Sequence, residues 1–366
     1  MLRWERKFIA AEAFESAAFV DVERDGTLDI VSGGFWYHGP DFVQRSTIAD
    51  VSRHGDYYDD FGSIALDVTG NGLPDLVTGG WWGEAVRWRE NPGDSSSIWR
   101  ERIIATTGPI EQPCAWDIDG DGVLEVVPNT PAGPLRVIKL RPASGDVQPT
   151  WQVTQIWDGQ QGHGLGFGDI SGSGRGDLVM NHGWLEALDD GSWSYHPEFD
   201  LGQTASVPIL VVDVNGDGLA DLIVGNGHGY GLDWWEQTRG ADGTRGWIRH
   251  EIDASVSQCH TLRWIDVDGD GHPELITGKR WRAHPEGDPG NDDDLGIWMY
   301  RWTGSGFEKE VVDAGPPGVG LGIGIDFDLA DTTGNGYLDI VAPGKDGLWI
   351  LINHGPVEGD RPSHER

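Results

Sequence analysis

The stretch Asp213-Val-Asn-Gly-Asp-Gly-Leu-Ala-Asp221 decides the fold, because variants of it occur seven times along the 366 residues. The copies begin at Asp21, Asp67, Asp117, Asp169, Asp213, Asp266 and Asp331. A period of about fifty residues marks a repeat architecture. Around Asp213 an apolar run, Val207-Pro-Ile-Leu-Val-Val212, enters the loop and a second, Leu219-Ala-Asp-Leu-Ile-Val224, leaves it. Two buried strands joined by a tight acidic turn account for this pattern. An alternating third strand, Leu232-Asp-Trp-Trp-Glu-Gln237, and a fourth, Trp247-Ile-Arg-His-Glu-Ile252, complete the unit.

Four antiparallel strands per repeat, seven repeats and no helical periodicity predict an all-β chain folded as a seven-bladed β-propeller. The opening Leu2-Arg-Trp-Glu-Arg-Lys-Phe-Ile9 has the pattern of a fourth strand, whereas the last repeat stops after a third strand near Asn353. The N-terminal strand is therefore expected to complete the last blade and remove the open edges. This gives a single propeller over residues 1–354 and a polar tail over 355–366.

The formal charge of -34 argues against nucleic acid and anionic membranes as partners. No run is apolar enough to span a membrane and no signal peptide is seen, so a cytoplasmic location is expected. Cys114 and Cys259 belong to the third and sixth repeats, too far apart in a ring for a disulfide, and are expected to be small buried residues.

The repeated phrase resembles the FG-GAP/VCBS repeat proteins, whose integrin-like propellers carry Asp-x-Asp-x-Asp-Gly loops that bind calcium. Segments such as Gly162-His-Gly-Leu-Gly-Phe-Gly-Asp169, Gly225-Asn-Gly-His-Gly-Tyr-Gly-Leu-Asp-Trp-Trp-Glu236 and Gly278-Lys-Arg-Trp281 are similar to the propeller domain of aldos-2-ulose dehydratases, the 1,5-anhydro-D-fructose dehydratase type. Calcium takes six to eight oxygens, which alternating acids on a glycine-bearing turn deliver. Of the 60 acids, 21 occupy the first, third, fifth and ninth loop positions. Structural calcium is expected in three or four loops, at Asp117, Asp119, Asp121 and Glu125; at Asp213, Asn215, Asp217 and Asp221; at Asp266, Asp268, Asp270 and Glu274; and at Asp21, Glu23, Asp25 and Asp29. The other three loops substitute Ser, Thr or Asn and can close by local hydrogen bonds alone.

In a propeller the innermost strand runs into the acidic loop, so its start and the end of the second strand share the opposite face. Six residues before each loop aspartate stand Glu15, Phe61, Glu111, His163, Val207, His260 and Ile325. Thirteen after it stand Gly34, Gly80, Thr130, His182, Asn226, Lys279 and Gly344. With loop residues His38, His54, His228 and His284, seven of the twelve histidines map to this face although no repeat position is consistently histidine. A lone loop histidine is as often merely solvated or hydrogen-bonded, but convergent polar groups at a concave mouth mark a site.

His163, His228 and His260 come from adjacent repeats, and three imidazoles with an open position suit zinc or another divalent metal. Catalytic candidates are His163, His182, His54, Tyr230 and Lys279: Lys279 and a histidine-bound metal to stabilise the enolate, and His182, His54 or Tyr230 as the base. Candidates for holding substrate are Glu111, Trp184, Trp281, Arg280 and His284. Trp36, Trp82, Trp184 and Trp281 share one repeat position, where an indole either stacks on a sugar or packs between blades. The insertion from Arg280 to Gly296 is the longest and suits a lid or binding loop.

The dehydratase resemblance implies a metal-dependent lyase that removes a proton beside a ketosugar carbonyl and expels water, with a small carbohydrate as substrate. A lectin-like carbohydrate-binding propeller is the alternative, and a polysaccharide lyase or glycosidase on the same scaffold is a third. A lectin would repeat its binding residues from blade to blade, and paired-carboxylate catalysis needs a second acid beside Glu111.

Overall fold

The computed structural model describes residues 1–143, 148–284 and 287–357. Seven four-stranded antiparallel sheets follow one another along the chain. In blade five the strands are Leu210–Val212, Asp221–Gly225, Tyr230–Arg239 and Arg245–Ser257, ordered from the inside outwards. Blade seven takes three strands from the end of the chain, Asp328–Ala330, Asp339–Ala342 and Leu348–Pro356, and its fourth, Leu2–Ala10, from the beginning. Lys7 lies opposite Ile350 and Ala10 opposite Leu348, so the N-terminal strand closes the ring as its alternation predicts. The last strand runs two residues past the expected boundary at 354, and the tail from 358 onward lies outside the described residues.

The seven hydrophobic clusters each join two successive blades. Val77 and Val86 of blade two meet Val126 and Ile138 of blade three, and Ile276 and Ile297 of blade six meet Ile340 and Leu351 of blade seven. Trp36 and Trp184 are fully buried in such seams. Packing between blades is thus what these two repeat-position tryptophans do, and Trp184 is not available to a substrate. Cys114 and Cys259 are free and buried in different seams.

The acidic loops carry a second kind of bond. In each loop the first aspartate accepts N–H groups from the loop that follows it, as Asp213 does from Gly216, Asp217 and Gly218. The acid at the ninth position turns inward. Asp75 is 0% exposed and accepts N–H bonds from Val68 (2.9 Å) and Thr69 (3.0 Å) of its own loop and from Asn91 (2.7 Å) beyond the third strand. Asp29, Asp177, Asp221 and Asp339 repeat the arrangement. Replacing Asp75 by Ala strands three donors, two buried and one half-buried, each costing about 1–3 kcal/mol. Urea denaturation is therefore expected to show a loss of at least about 3 kcal/mol; a loss below 1 kcal/mol would show that the hub is dispensable.

Candidate metal centre on the axial face

Local backbone devices aim each side chain. Gly162 and Gly164 flank His163, and a Cβ at either would stand 2.2 Å from the Asn181 side chain or 2.7 Å from Ala205. Only glycine allows that approach, which carries His163 to Thr204 and Ala205 of the next blade. His260 follows Gln258, a non-glycine residue at φ 56°, and the register slips between Cys259 and Leu262. A bulge of this kind re-aims a side chain, here inward. His228 sits between Gly227 and Gly229, with its N–H on the Asn226 side chain. A Cβ on Gly227 would lie 3.2 Å from the His260 ring and 3.4 Å from the His163 ring.

The ligand nitrogens of His163, His228 and His260 lie within 4.8 Å of one another. Nδ1 of His163 is 2.7 Å from the Ala205 carbonyl, and Nδ1 of His228 is 3.1 Å from an Asp288 carboxylate oxygen. Carbonyl and carboxylate oxygens only accept, so both Nδ1 atoms donate and both Nε2 atoms are turned towards the centre. Those two Nε2 atoms face each other at 3.2 Å. His260 is 0% exposed, and among the described residues neither of its ring nitrogens has a hydrogen-bond partner. A Glu111 oxygen lies 3.7 Å from Nε2 of both His163 and His260. Four donors at zinc bond lengths in a tetrahedron stand about 3.4 Å apart. The separations, the unpaired His260 and the carbonyl and carboxylate behind two of the rings all suit a divalent cation.

The protonation states agree. Burial first, then the neighbouring His260 and His163, lowers the His228 pKa to about 3. Burial, with Arg280 and His163 nearby, lowers that of His260 to about 3. Burial alone would raise the Glu111 pKa, but His163, His260 and Arg280 outweigh it and hold the carboxyl well below its usual range. At neutral pH His228 and His260 are neutral imidazoles and Glu111 is a carboxylate, the forms that bind metal, while the Ala205 carbonyl orients the His163 ring.

Charged groups continue across the axis. Buried Arg280 pairs with Glu15 at 2.9 Å, and Lys345 approaches Glu15 at 3.6 Å. Lys345 lies 3.8 Å from the Tyr57 ring centre and donates to the Arg282 carbonyl at 2.7 Å, and burial pulls its pKa down to about 8. The blade-six insertion is tied down: Lys279 donates to the carbonyls of Gly290 and Asp293, Tyr57 donates to Ala283, and Tyr230 donates to Asp293. Positions 285 and 286 of that insertion lie outside the described residues.

Several predicted roles change accordingly. Glu111 borders the imidazole cluster, 3.7 Å from His163 and His260. Lys279 is 0% exposed and spends its ammonium on the insertion, and Arg280 spends its guanidinium on Glu15. His182 is held outside the cluster by Tyr195 (2.8 Å) and the Gln160 carbonyl (3.0 Å). His54 stacks on Trp82 with ring centres 4.8 Å apart, and Tyr230 is engaged with the insertion. His284 stacks on His228 and contacts Asp288, so it flanks the centre. Trp281 is half-buried beside Arg282. His38 belongs to the acidic-loop face, next to Glu23. Asp288 and Lys345 were missed because the insertion has no repeat register and Lys345 falls one place past the ring position; Glu15 stood in the inner ring.

Among the four loops expected to hold calcium, only those at Asp117 and Asp266 gather three acidic side chains, Asp117, Asp119 and Glu125 and then Asp266, Asp268 and Glu274. Each already contains a basic side chain. Lys139 lies 2.5 Å from Asp119, 2.6 Å from Asp121 and 3.0 Å from Glu125, while Arg301 contacts Asp268 at 2.9 Å and Glu274. At the other two loops the ninth-position acids, Asp29 and Asp221, give both oxygens to backbone N–H groups. In all four loops a calcium ion would share its carboxylates with the base or the backbone donors that already hold them.

A model of the FG-GAP-like repeat matches residues 67–127 and 184–277, so these two stretches carry FG-GAP-like repeats. No curated protein matches the sequence. Among solved structures, the BP39L lectin from Burkholderia pseudomallei is similar at 15% identity and a TM-score of 0.52, covering 97% of both chains. The BBS1N structure in complex with ARL6DN, soaked with mercury, is similar at 13% identity and a TM-score of 0.54, covering 98% of this chain and 97% of that one. At these identities the likeness shows the propeller fold alone.

Replacing His228 by Ala is expected to abolish binding of about one equivalent of zinc or cobalt by the metal-loaded protein, whereas His182→Ala should retain it. Metal analysis after gel filtration checks this, and equal losses in both variants would dissolve the distinction.

Proposed function

We propose that the protein is a metal-dependent carbohydrate lyase that dehydrates a small ketosugar of the 1,5-anhydro-D-fructose or aldos-2-ulose class. The observation that carries this reading is the 3.2 Å approach of Nε2 of His163 to Nε2 of His228, beside buried His260 and the ionised Glu111. Such a set would suit a divalent cation, and a bound cation would polarise a sugar carbonyl. The similarity of the segments around His163, His228 and Lys279 to dehydratase propellers supplies the substrate class.

The reaction removes a proton from the carbon beside the carbonyl and breaks the C–O bond one carbon further on. The electron pair of the C–H bond becomes a C=C bond, and the leaving oxygen departs as water after taking up a proton. A base of near-neutral pKa serves this best. Lys345 is the group we assign: burial brings its pKa to about 8, and its amino nitrogen, beside Glu15 and the Arg282 carbonyl, has to leave those partners to take up a proton from substrate. Arg280 and Glu15 keep that end of the site charge-balanced. Trp82, 37% exposed and stacked on His54, offers an aromatic face for a sugar ring.

The test is turnover of 1,5-anhydro-D-fructose by metal-loaded protein, followed by the ultraviolet absorbance of the conjugated product. Glu111→Gln is expected to lower kcat/KM by about 100-fold or more. Because Lys345 must be unprotonated to accept a proton, kcat/KM should rise with pH and level off above about 8, and Lys345→Met should abolish that limb. Sugar binding without turnover by the loaded protein would replace this reading with that of a lectin.

A further inference from the structure

The residue facing each loop's ninth-position acid across the second and third strands varies with the charge of the loop. Lys139 stands directly opposite Glu125, and Arg301 stands opposite Glu274, one step along the ladder from the Leu275–Tyr300 pair. These are two of the three loops with acids at both the third and fifth positions, namely Asp119 and Asp121, and Asp268 and Asp270. The third is Glu23 and Asp25, and there the facing residue is His38. Where those positions carry neutral residues, or one neutral and one acid, the facing residue is Glu90, Glu186, Glu236 or Ile352. Each of these three glutamates finds its own base on the fourth strand, in Arg102, His196 (2.8 Å) and His250 (2.7 Å).

A further change accompanies the base. Five loops end in aspartate, whose two oxygens serve backbone donors of the loop and of the third strand or just beyond it. The loops facing Lys139 and Arg301 end instead in glutamate. One Glu125 oxygen takes the Ile118 N–H at 2.8 Å and the other meets Lys139 at 3.0 Å. One Glu274 oxygen takes the Val267 N–H at 3.0 Å and the other meets Arg301. The longer side chain keeps the loop bond and frees an oxygen for the base.

We propose that the third and sixth acidic loops are closed by a resident cationic side chain, Lys139 or Arg301, in the place that a calcium ion takes in loops of this kind, so that these two blades fold without metal. Three features of each loop change together: acids at positions three and five, glutamate at position nine and a base on the third strand. An ammonium within 3.0 Å of three carboxylates already balances the charge that a divalent ion would neutralise. The ladder fixes its place, because Lys139 and Arg301 occupy equivalent positions in two blades.

The experiment is thermal melting of the full chain and of its Lys139→Met and Arg301→Met variants, in a calcium chelator and in millimolar calcium. In chelator each variant should melt about 5 °C or more below the parent, because several carboxylates lose their counter-charge. Calcium should return at least half of that loss, while moving the parent less than it moves either variant. Adding Asp119→Asn and Asp121→Asn to Lys139→Met should restore the melting temperature in chelator, and Lys139→Arg should stay calcium-indifferent. If Lys139→Met fails to fold, the triple variant carries the test, since its recovery without calcium supports the charge balance. A parent that gains as much from calcium as the variants do, or variants unchanged in chelator, would overturn the proposal.

Discussion

The carboxylate that ends each acidic loop lies under its sheet and accepts N–H bonds from the loop behind it, and in five blades also from the third strand or the residue just after it. It closes the tight turn between the first two strands, and a buried charge needs this set of donors to be tolerable. Once the turn is fixed, the innermost strand always enters from the axial face and the second always leaves towards it. Seven such units bury apolar seams only against each other, so closure by Leu2–Ala10 is a condition of the fold.

This frame leaves the axial ends of the inner strands free to differ. Blades three and four place Glu111 and His163 at one ring position, blade six brings His260 through a bulge, and the blade-five turn adds His228. Burial keeps His228 and His260 neutral, while the Ala205 carbonyl and the Asp288 carboxylate fix the tautomers of His163 and His228. The two Nε2 atoms turned towards each other at 3.2 Å, with Nδ1 of each ring held from behind, have the arrangement that a shared cation needs. That constraint ties the proposed chemistry to the geometry.

Much of the frame was legible because it repeats. Strand order, closure by the N-terminal strand and the shared face of Glu111, His163 and His260 follow from counting from each loop aspartate. The trio of His163, His228 and His260 was legible too, because a residue type that breaks a repeat stands out. The partners were not. Lys279 and Trp281 hold the right ring positions, yet position in a repeat does not say whether a side chain turns to the mouth or to a neighbouring loop. Trp184 shows the same limit, its indole lying in a seam. Asp288 lies in an insertion with no register, and Lys139 and Arg301 become meaningful only when the third strand is paired with the second.

The most direct measurement is diffraction from crystals of the zinc-loaded protein on both sides of the zinc absorption edge. An anomalous peak within bonding distance of Nε2 of His163, His228 and His260 is the predicted result. Zinc bound elsewhere, with the three imidazoles free of metal, would contradict the account.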